Sequence, residues 1–217
     1  MINHDYRFVH VHCRKAGGMS IGHLFPWFET HHNNMHDYIR MLGDEIKDYF
    51  VWTIVRNPWD RMVSSFFYEL KIMQRCHTDS FPQYVRDMYE GIRDNSFDRF
   101  YDMLEQVECL KDFHELPAYD YVACLGNIDR DFEMVKRRTG MPPELRFPRV
   151  NSTEHPDYRQ YYNDDTKRMV AEMSRNDIET FGFVFEDKTA MRYPVQNPVA
   201  VPFQRGWRER LSWPMPD

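Results

Sequence analysis

The run Phe50-Val51-Trp52-Thr53-Ile54-Val55 passes directly into Arg56-Asn57-Pro58-Trp59-Asp60, and this junction constrains the fold more than any other stretch. A β-branched and aromatic run of this length suits one buried strand. Helix-start chemistry follows at once. Asn57 suits the N-cap, where its side chain accepts from an orphan backbone N–H. Pro58 suits the first helical position, where its missing N–H costs nothing. Asp60 places a carboxylate in the first turn, against the positive end of the helix dipole. Met62, Val63, Phe66, Phe67 and Leu70 recur at helical spacing as a core-facing stripe, with Asp60 and Ser64 off it. Arg56 therefore falls where a buried strand becomes a helix, the place where open α/β sheets bind ligands. A cation there, with the Ser64 hydroxyl about two turns into the helix, can grip an anion from two sides. The competing reading pairs Arg56 with Asp60 and leaves Ser64 as a neutral surface residue.

A second unit of the same kind lies near the N-terminus. Arg7-Phe8-Val9-His10-Val11-His12-Cys13 alternates and reads as a strand. Arg14-Lys15-Ala16-Gly17-Gly18-Met19-Ser20 then leads into the amphipathic Ile21-Gly22-His23-Leu24-Phe25-Pro26-Trp27-Phe28. Two adjacent glycines let backbone N–H groups approach an anion, the helix start adds partial positive charge, and Lys15 adds a full one. It is not a Walker A loop, because the lysine precedes the glycines. A lone Lys-x-Gly-Gly is usually only a turn. Two strand-turn-helix units, each with a cation at the switch, make a stronger signal.

Lys15-Ala16-Gly17-Gly18-Met19-Ser20 resembles the Lys-Thr-Ala-Gly-Thr-Ser loop of sulfotransferases that use 3′-phosphoadenosine 5′-phosphosulfate. Val55-Arg56-Asn57-Pro58-Trp59-Asp60-Arg61-Met62-Val63-Ser64 is similar, almost letter for letter, to their second signature, Val-Arg-Asn-Pro-Trp-x-Arg-x-Val-Ser. The similarity runs over roughly residues 6 to 185, including His32 to Gly43 and Asn151 to Phe185. It is best with the branch that holds carbohydrate sulfotransferases and small bacterial and viral relatives. The first motif departs from the pattern, with Ala16 and Met19 where the family has threonines. The resemblance implies an α/β, P-loop-like three-layer fold with a central parallel sheet flanked by helices. It implies that Lys15, Ala16, Gly17, Gly18, Met19 and Ser20 contact the donor, with Lys15 stabilising charge on the bridging oxygen and the amides of Gly17 to Ser20 holding the 5′-phosphate. Arg56 and Ser64 would hold the 3′-phosphate. The Asn151-Ser152-Thr153 region corresponds to a loop that closes on the nucleotide in relatives. Cys124-Leu125-Gly126-Asn127 departs from the family's Gly-Arg-Phe-Glu.

Sulfuryl transfer to an alcohol needs a base near the attacking hydroxyl. Relatives often carry Lys-His-x-Thr ahead of a Leu-Gly pair. Here His31-His32-Asn33-Asn34 precedes Leu42-Gly43, a register that puts His32 on the family's histidine. His31 and His36 are the neighbouring candidates, Glu29 the carboxylate next in line, and a solvated histidine-rich loop the plain alternative. His12 points to the same side as Arg14 and can line the site, though packing accounts for it as well. No Cys or Glu completes a tetrahedral metal set with His31 and His36, so no metal is expected.

The remaining chain fits one domain over residues 1–187 and a proline-rich C-terminal arm over 188–217. A net charge of −6 argues against general nucleic-acid binding. Cys13, Cys76, Cys109 and Cys124 have no metal or disulfide-framework spacing, and there is no signal peptide or membrane-length apolar run. Reduced thiols in a cytoplasmic protein are expected, with Cys13 and Cys124 in strands. Helices are expected over Asp37–Leu42 ended by Gly43, Phe81–Ile92, Phe97–Leu104, Asp129–Thr139 closed by Gly140, a segment from Asp164 to about Met173, and Asp177–Phe181. Tyr119–Leu125 reads as a third strand, and Gly182–Phe185 as a sheet-edge segment. The functional expectation is sulfuryl transfer from the nucleotide donor to a hydroxyl-bearing acceptor, carbohydrate among the possible classes. A non-catalytic nucleotide-binding relative and an ATP-dependent kinase-like enzyme are the alternatives.

Overall fold

The computed structural model describes residues 1–25, 32–74, 76–94, 105–148, 150, 156–189, 191 and 207–212. In chain order the elements are β1 (Ile2–Asn3), β2 (Phe8–Val11), α1 (Gly18–Leu24), α2 (Met35–Leu42), β3 (Phe50–Val55), α3 (Pro58–Phe67), α4 (Phe81–Asp94), β4 (Tyr121–Cys124), α5 (Ile128–Thr139), α6 (Asp164–Met173), α7 (Arg175–Phe181) and α8 (Trp207–Arg210). They fall into two compact units. The first takes in Met1–Val55, Gln106–Val150 and Pro194–Asp217; the second takes in Arg56–Glu105 and Asn151–Tyr193.

The first unit carries the sheet, in the order β1-β2-β3-β4. β2, β3 and β4 are parallel, and β1 pairs antiparallel with β2. From Val51 to Val55 every residue of β3 is buried, as a continuous apolar run in a helix-covered parallel sheet requires. Its polar member is satisfied: Thr53 Oγ1 donates to the Val11 carbonyl at 2.8 Å. The strands are shorter than alternation suggests. Arg7 has left the strand (φ 45°), and Tyr119 and Asp120 precede β4. β1 is two residues long, too short to leave a periodic signature. The arrangement is the expected α/β fold with a parallel sheet, with the short antiparallel β1 added at its edge.

α2 starts at Met35, not Asp37, because Asn34 and Asp37 form a capping box: the Asn34 side chain accepts from the Asp37 N–H and Asp37 accepts from the Asn34 N–H, both at 3.0 Å. α5 ends at Gly140, whose φ of 73° supplies the left-handed cap expected there. Cys13 and Cys124 are buried thiols, and burial pushes Cys124 up to about 11. α8 belongs to this unit. Trp207 is fully buried, and Arg208 donates to both Asp120 oxygens at 2.5 and 2.7 Å. Asp120 also accepts from the Val51 N–H at 2.8 Å, which ties α8 to the start of β3.

The second unit is helical. α3 is buried along its whole length by α4, α6 and the short helical turn Tyr158–Tyr161. Asp60 and Ser64, off the apolar stripe, are therefore buried too, at 8% and 7% exposure, which corrects the one-sided stripe. The helix continues as a π-turn over Tyr68–Met73. α6 is capped by Asn163, one residue before Asp164, and α7 starts at Arg175 instead of Asp177. Val184 makes an isolated antiparallel bridge to Asp187, a local turn and not a sheet edge. The expected helix Phe97–Leu104 lies outside the described residues. No described helix is long and apolar enough to cross a membrane.

Candidate functional site

The glycine loop is built from two left-handed residues. Lys15 has φ 60° and Gly17 has φ 91°, so the chain leaves β2, reverses, and enters α1 at Gly18. Ala16 N–H closes on the Cys13 carbonyl at 3.3 Å, and Ser20 N–H on the Gly17 carbonyl at 3.0 Å. The two glycines are needed for different reasons. Gly17 supplies the positive φ, and a β-carbon on it would sit 2.9 Å from Leu125 Cδ1. Gly18 has no such φ, but a β-carbon there would overlap the His12 imidazole at Nε2, Cδ2 and Cε1. Its missing side chain is thus explained by a ring, a close approach that no spacing rule shows. Lys15 is half-buried, Ala16 buried, Met19 exposed at 55%, and Ser20 buried, with its hydroxyl oxygen accepting from Val150 N–H at 3.4 Å.

His32 belongs to the same unit. It is exposed, and its ring centroid lies 4.4 Å from that of His12, tilted by 35°. His12 is 8% exposed, its buried Nδ1 has no hydrogen-bond partner among the described residues, and its pKa is lowered to about 3. Burial is the main cause; the positive forms of His32, the amino terminus and Arg14 add to it. His10, on the same strand face, packs on Trp52 at 4.6 Å and is held well below the usual histidine range by burial. His36 stacks on Phe113 at 4.6 Å and 16°, with Arg40 5.2 Å from the centroid of that ring, so packing accounts for it. His31, Glu29 and Asn151-Ser152-Thr153 lie outside the described residues. Among the described residues no cluster of His, Cys, Asp or Glu has the geometry to hold a metal ion.

Arg56 and Ser64 lie in the second unit, Arg56 just before α3 and Ser64 within it. Asn57 is the N-cap, its Oδ1 accepting from Trp59 N–H at 3.1 Å and Asp60 N–H at 3.4 Å, with Pro58 first in the helix. Its Nδ2 donates to the Val184 carbonyl at 2.8 Å. Arg56 Nε donates to Asp60 Oδ2 at 2.8 Å, with side chains 15% and 12% exposed. The pairing weighed from sequence is therefore present, and it holds the guanidinium at the mouth of the helix. Ser64 lies two turns on, its carbonyl accepting from the Tyr68 N–H. Trp59 Nε1 donates to the Lys167 carbonyl at 3.0 Å, and the Tyr162 hydroxyl to the Trp59 carbonyl at 2.8 Å. Arg61 faces Asp177 at 3.9 Å, both buried. The second signature thus fastens α3 to its own unit as well as presenting Arg56.

A protein of Archaeoglobus fulgidus, described as uncharacterized, is 26% identical over 122 residues, which cover 55% of this chain and 91% of that protein. No solved structure matches the chain. The family model described as the sulfotransferase family matches residues 1–184, spanning the glycine loop, the β3–α3 junction and α6 and α7. The chain belongs to the sulfotransferase family.

Proposed function

We propose that the chain transfers a sulfuryl group from 3′-phosphoadenosine 5′-phosphosulfate to an acceptor hydroxyl, with carbohydrates the first acceptor class to test. The observation that carries this reading is the loop Lys15–Ser20, whose left-handed Lys15 and Gly17 lead the chain from β2 into α1 in a chain of this family. In-line transfer asks little covalent chemistry of the protein; it asks for positioning and for stabilisation of moving charge. Lys15 stabilises charge on the bridging oxygen, and the amides of Gly17 to Ser20 hold the 5′-phosphate. Arg56 and Ser64 bind the 3′-phosphate. His32 takes the acceptor proton. The sulfuryl group carries one negative charge less than a phosphoryl group, so a divalent cation is less needed.

Labelled-sulfate transfer into acceptor pools tests the reading, with EDTA present to test the metal. His32→Ala should lower turnover by roughly two to four decades with donor affinity little changed. Lys15→Ala should lower turnover and donor affinity together. Binding of adenosine 3′,5′-bisphosphate without transfer would favour a non-catalytic relative, which Ala16 and Met19 make worth testing. A preference for ATP with metal-dependent turnover would favour the kinase-like alternative.

A further inference from the structure

His12 is not required by the strand it follows. An apolar side chain of the same volume would fill the space without burying a ring nitrogen that has no hydrogen-bond partner among the described residues. Two contacts single it out. Its Nε2 edge occupies the volume where any residue other than glycine at position 18 would place a β-carbon. Its face lies 4.4 Å, centroid to centroid, from the exposed ring of His32. We propose that His12 is a positioning residue for the transfer reaction, a ring in contact with both Gly18 and His32 that holds the glycine loop on one side and orients the His32 imidazole on the other.

This rests on the reading of His32 as the proton acceptor. His12 does not compete for that role, because burial lowers its pKa to about 3 and leaves it too weak a base. It acts through shape. Because the interior is close-packed, a side chain added at Gly18 must push the ring away, and the ring carries His32 with it. Gly18→Ala and His12→Asn should therefore be two ways of making the same lesion. Misplacing a reacting group by about 1 Å costs on the order of 100-fold in rate.

The test uses the full chain, with imidazole proton–nitrogen correlation spectra read beside steady-state kinetics. His12→Asn and Gly18→Ala should each move the His32 ring signals and lower kcat by roughly 10- to 100-fold, with the donor KM little changed in His12→Asn. The double variant should be no worse than His12→Asn alone, since the asparagine leaves room for the added methyl group. His32 signals unmoved in both single variants would overturn the proposal. So would kinetic losses that add in the double variant, or a His12→Asn loss that falls on donor KM alone. Should His12→Asn fail to fold, Gly18→Ala carries the spectroscopic test. A wild-type chain that transfers no sulfate, or a His32→Ala variant with full turnover, sinks the transferase assignment separately, and the His32 ring signals still decide whether His12 holds that side chain.

Discussion

Arg56→Ala separates nucleotide recognition from scaffolding. The guanidinium donates to Asp60 at 2.8 Å, in a pair whose side chains are 15% and 12% exposed. Removing it should have two consequences. A charge-assisted hydrogen bond to the 3′-phosphate contributes about 1.5–3 kcal/mol, so adenosine 3′,5′-bisphosphate should bind roughly 10- to 150-fold more weakly. Binding of 5′-AMP, which lacks that phosphate, should hardly change. The carboxylate of Asp60 is also left without its partner. Breaking a fully buried pair costs about 3–5 kcal/mol; the residual exposure here brings the expected loss to about 2–3 kcal/mol.

The two effects part in the double variant Arg56→Ala/Asp60→Asn. Neutralising the carboxylate should restore most of the stability and none of the binding. Calorimetric titration with both nucleotides, beside urea unfolding of the same samples, measures each. Equal affinity of the wild-type chain for the two nucleotides refutes the 3′-phosphate assignment. An Arg56→Ala chain that keeps the wild-type preference refutes it as well. Binding that returns with the Asp60→Asn change would show that the loss came through the scaffold.

Three further outcomes are expected. Histidines whose folded pKa lies below 6.5 take up a proton only on unfolding, so stability should be full above about pH 6.5 and fall below it, down to about pH 3 for His12; each of His10 and His12 adds up to ~1.4 kcal/mol per pH unit, and unfolding curves of His10→Gln/His12→Asn should show a shallower acid slope. Gly17→Ala places a β-carbon at φ 91° and 2.9 Å from Leu125 Cδ1, which should cost about 2–3 kcal/mol in urea unfolding; Leu125→Ala should relieve the contact and leave the backbone strain. Trp207→Ala empties a fully buried site and should cost about 3–5 kcal/mol, an effect that a loosely attached tail would not show.

What was legible in the chain was what local chemistry decides. Asn57, Pro58 and Asp60 gave the start of α3, and the run before them gave the central strand, because a cap and a buried strand are each written in neighbouring residues. The burial of Asp60 and Ser64 was not legible, because it depends on α4 and α6, which pack against α3 from outside its own residues. Trp207 escaped for the same reason: a four-residue helix carries no period, and its anchor is Asp120, 87 residues away.

The glycine pair shows where a sequence argument of this kind runs out and how it can be pushed further. A tight turn of this shape needs one residue at positive φ with no side chain, and Gly17 is that residue. Gly18 is then left over, since anion binding by backbone amides does not itself require a second glycine. A glycine that the backbone conformation does not demand points to something packed against its α-carbon. The structure puts a histidine there, one with a ring nitrogen that has no hydrogen-bond partner among the described residues and a second histidine against its face. His12 and Gly18 are six residues apart in the chain, on a strand end and a helix start, so no helical or strand period relates them. What relates them is the turn itself: once Lys15 and Gly17 take left-handed conformations, the chain folds back and brings the first turn of α1 against the residue that follows β2. The surplus glycine was the trace of that contact in the sequence, and it leads from the donor loop to the residue proposed as base.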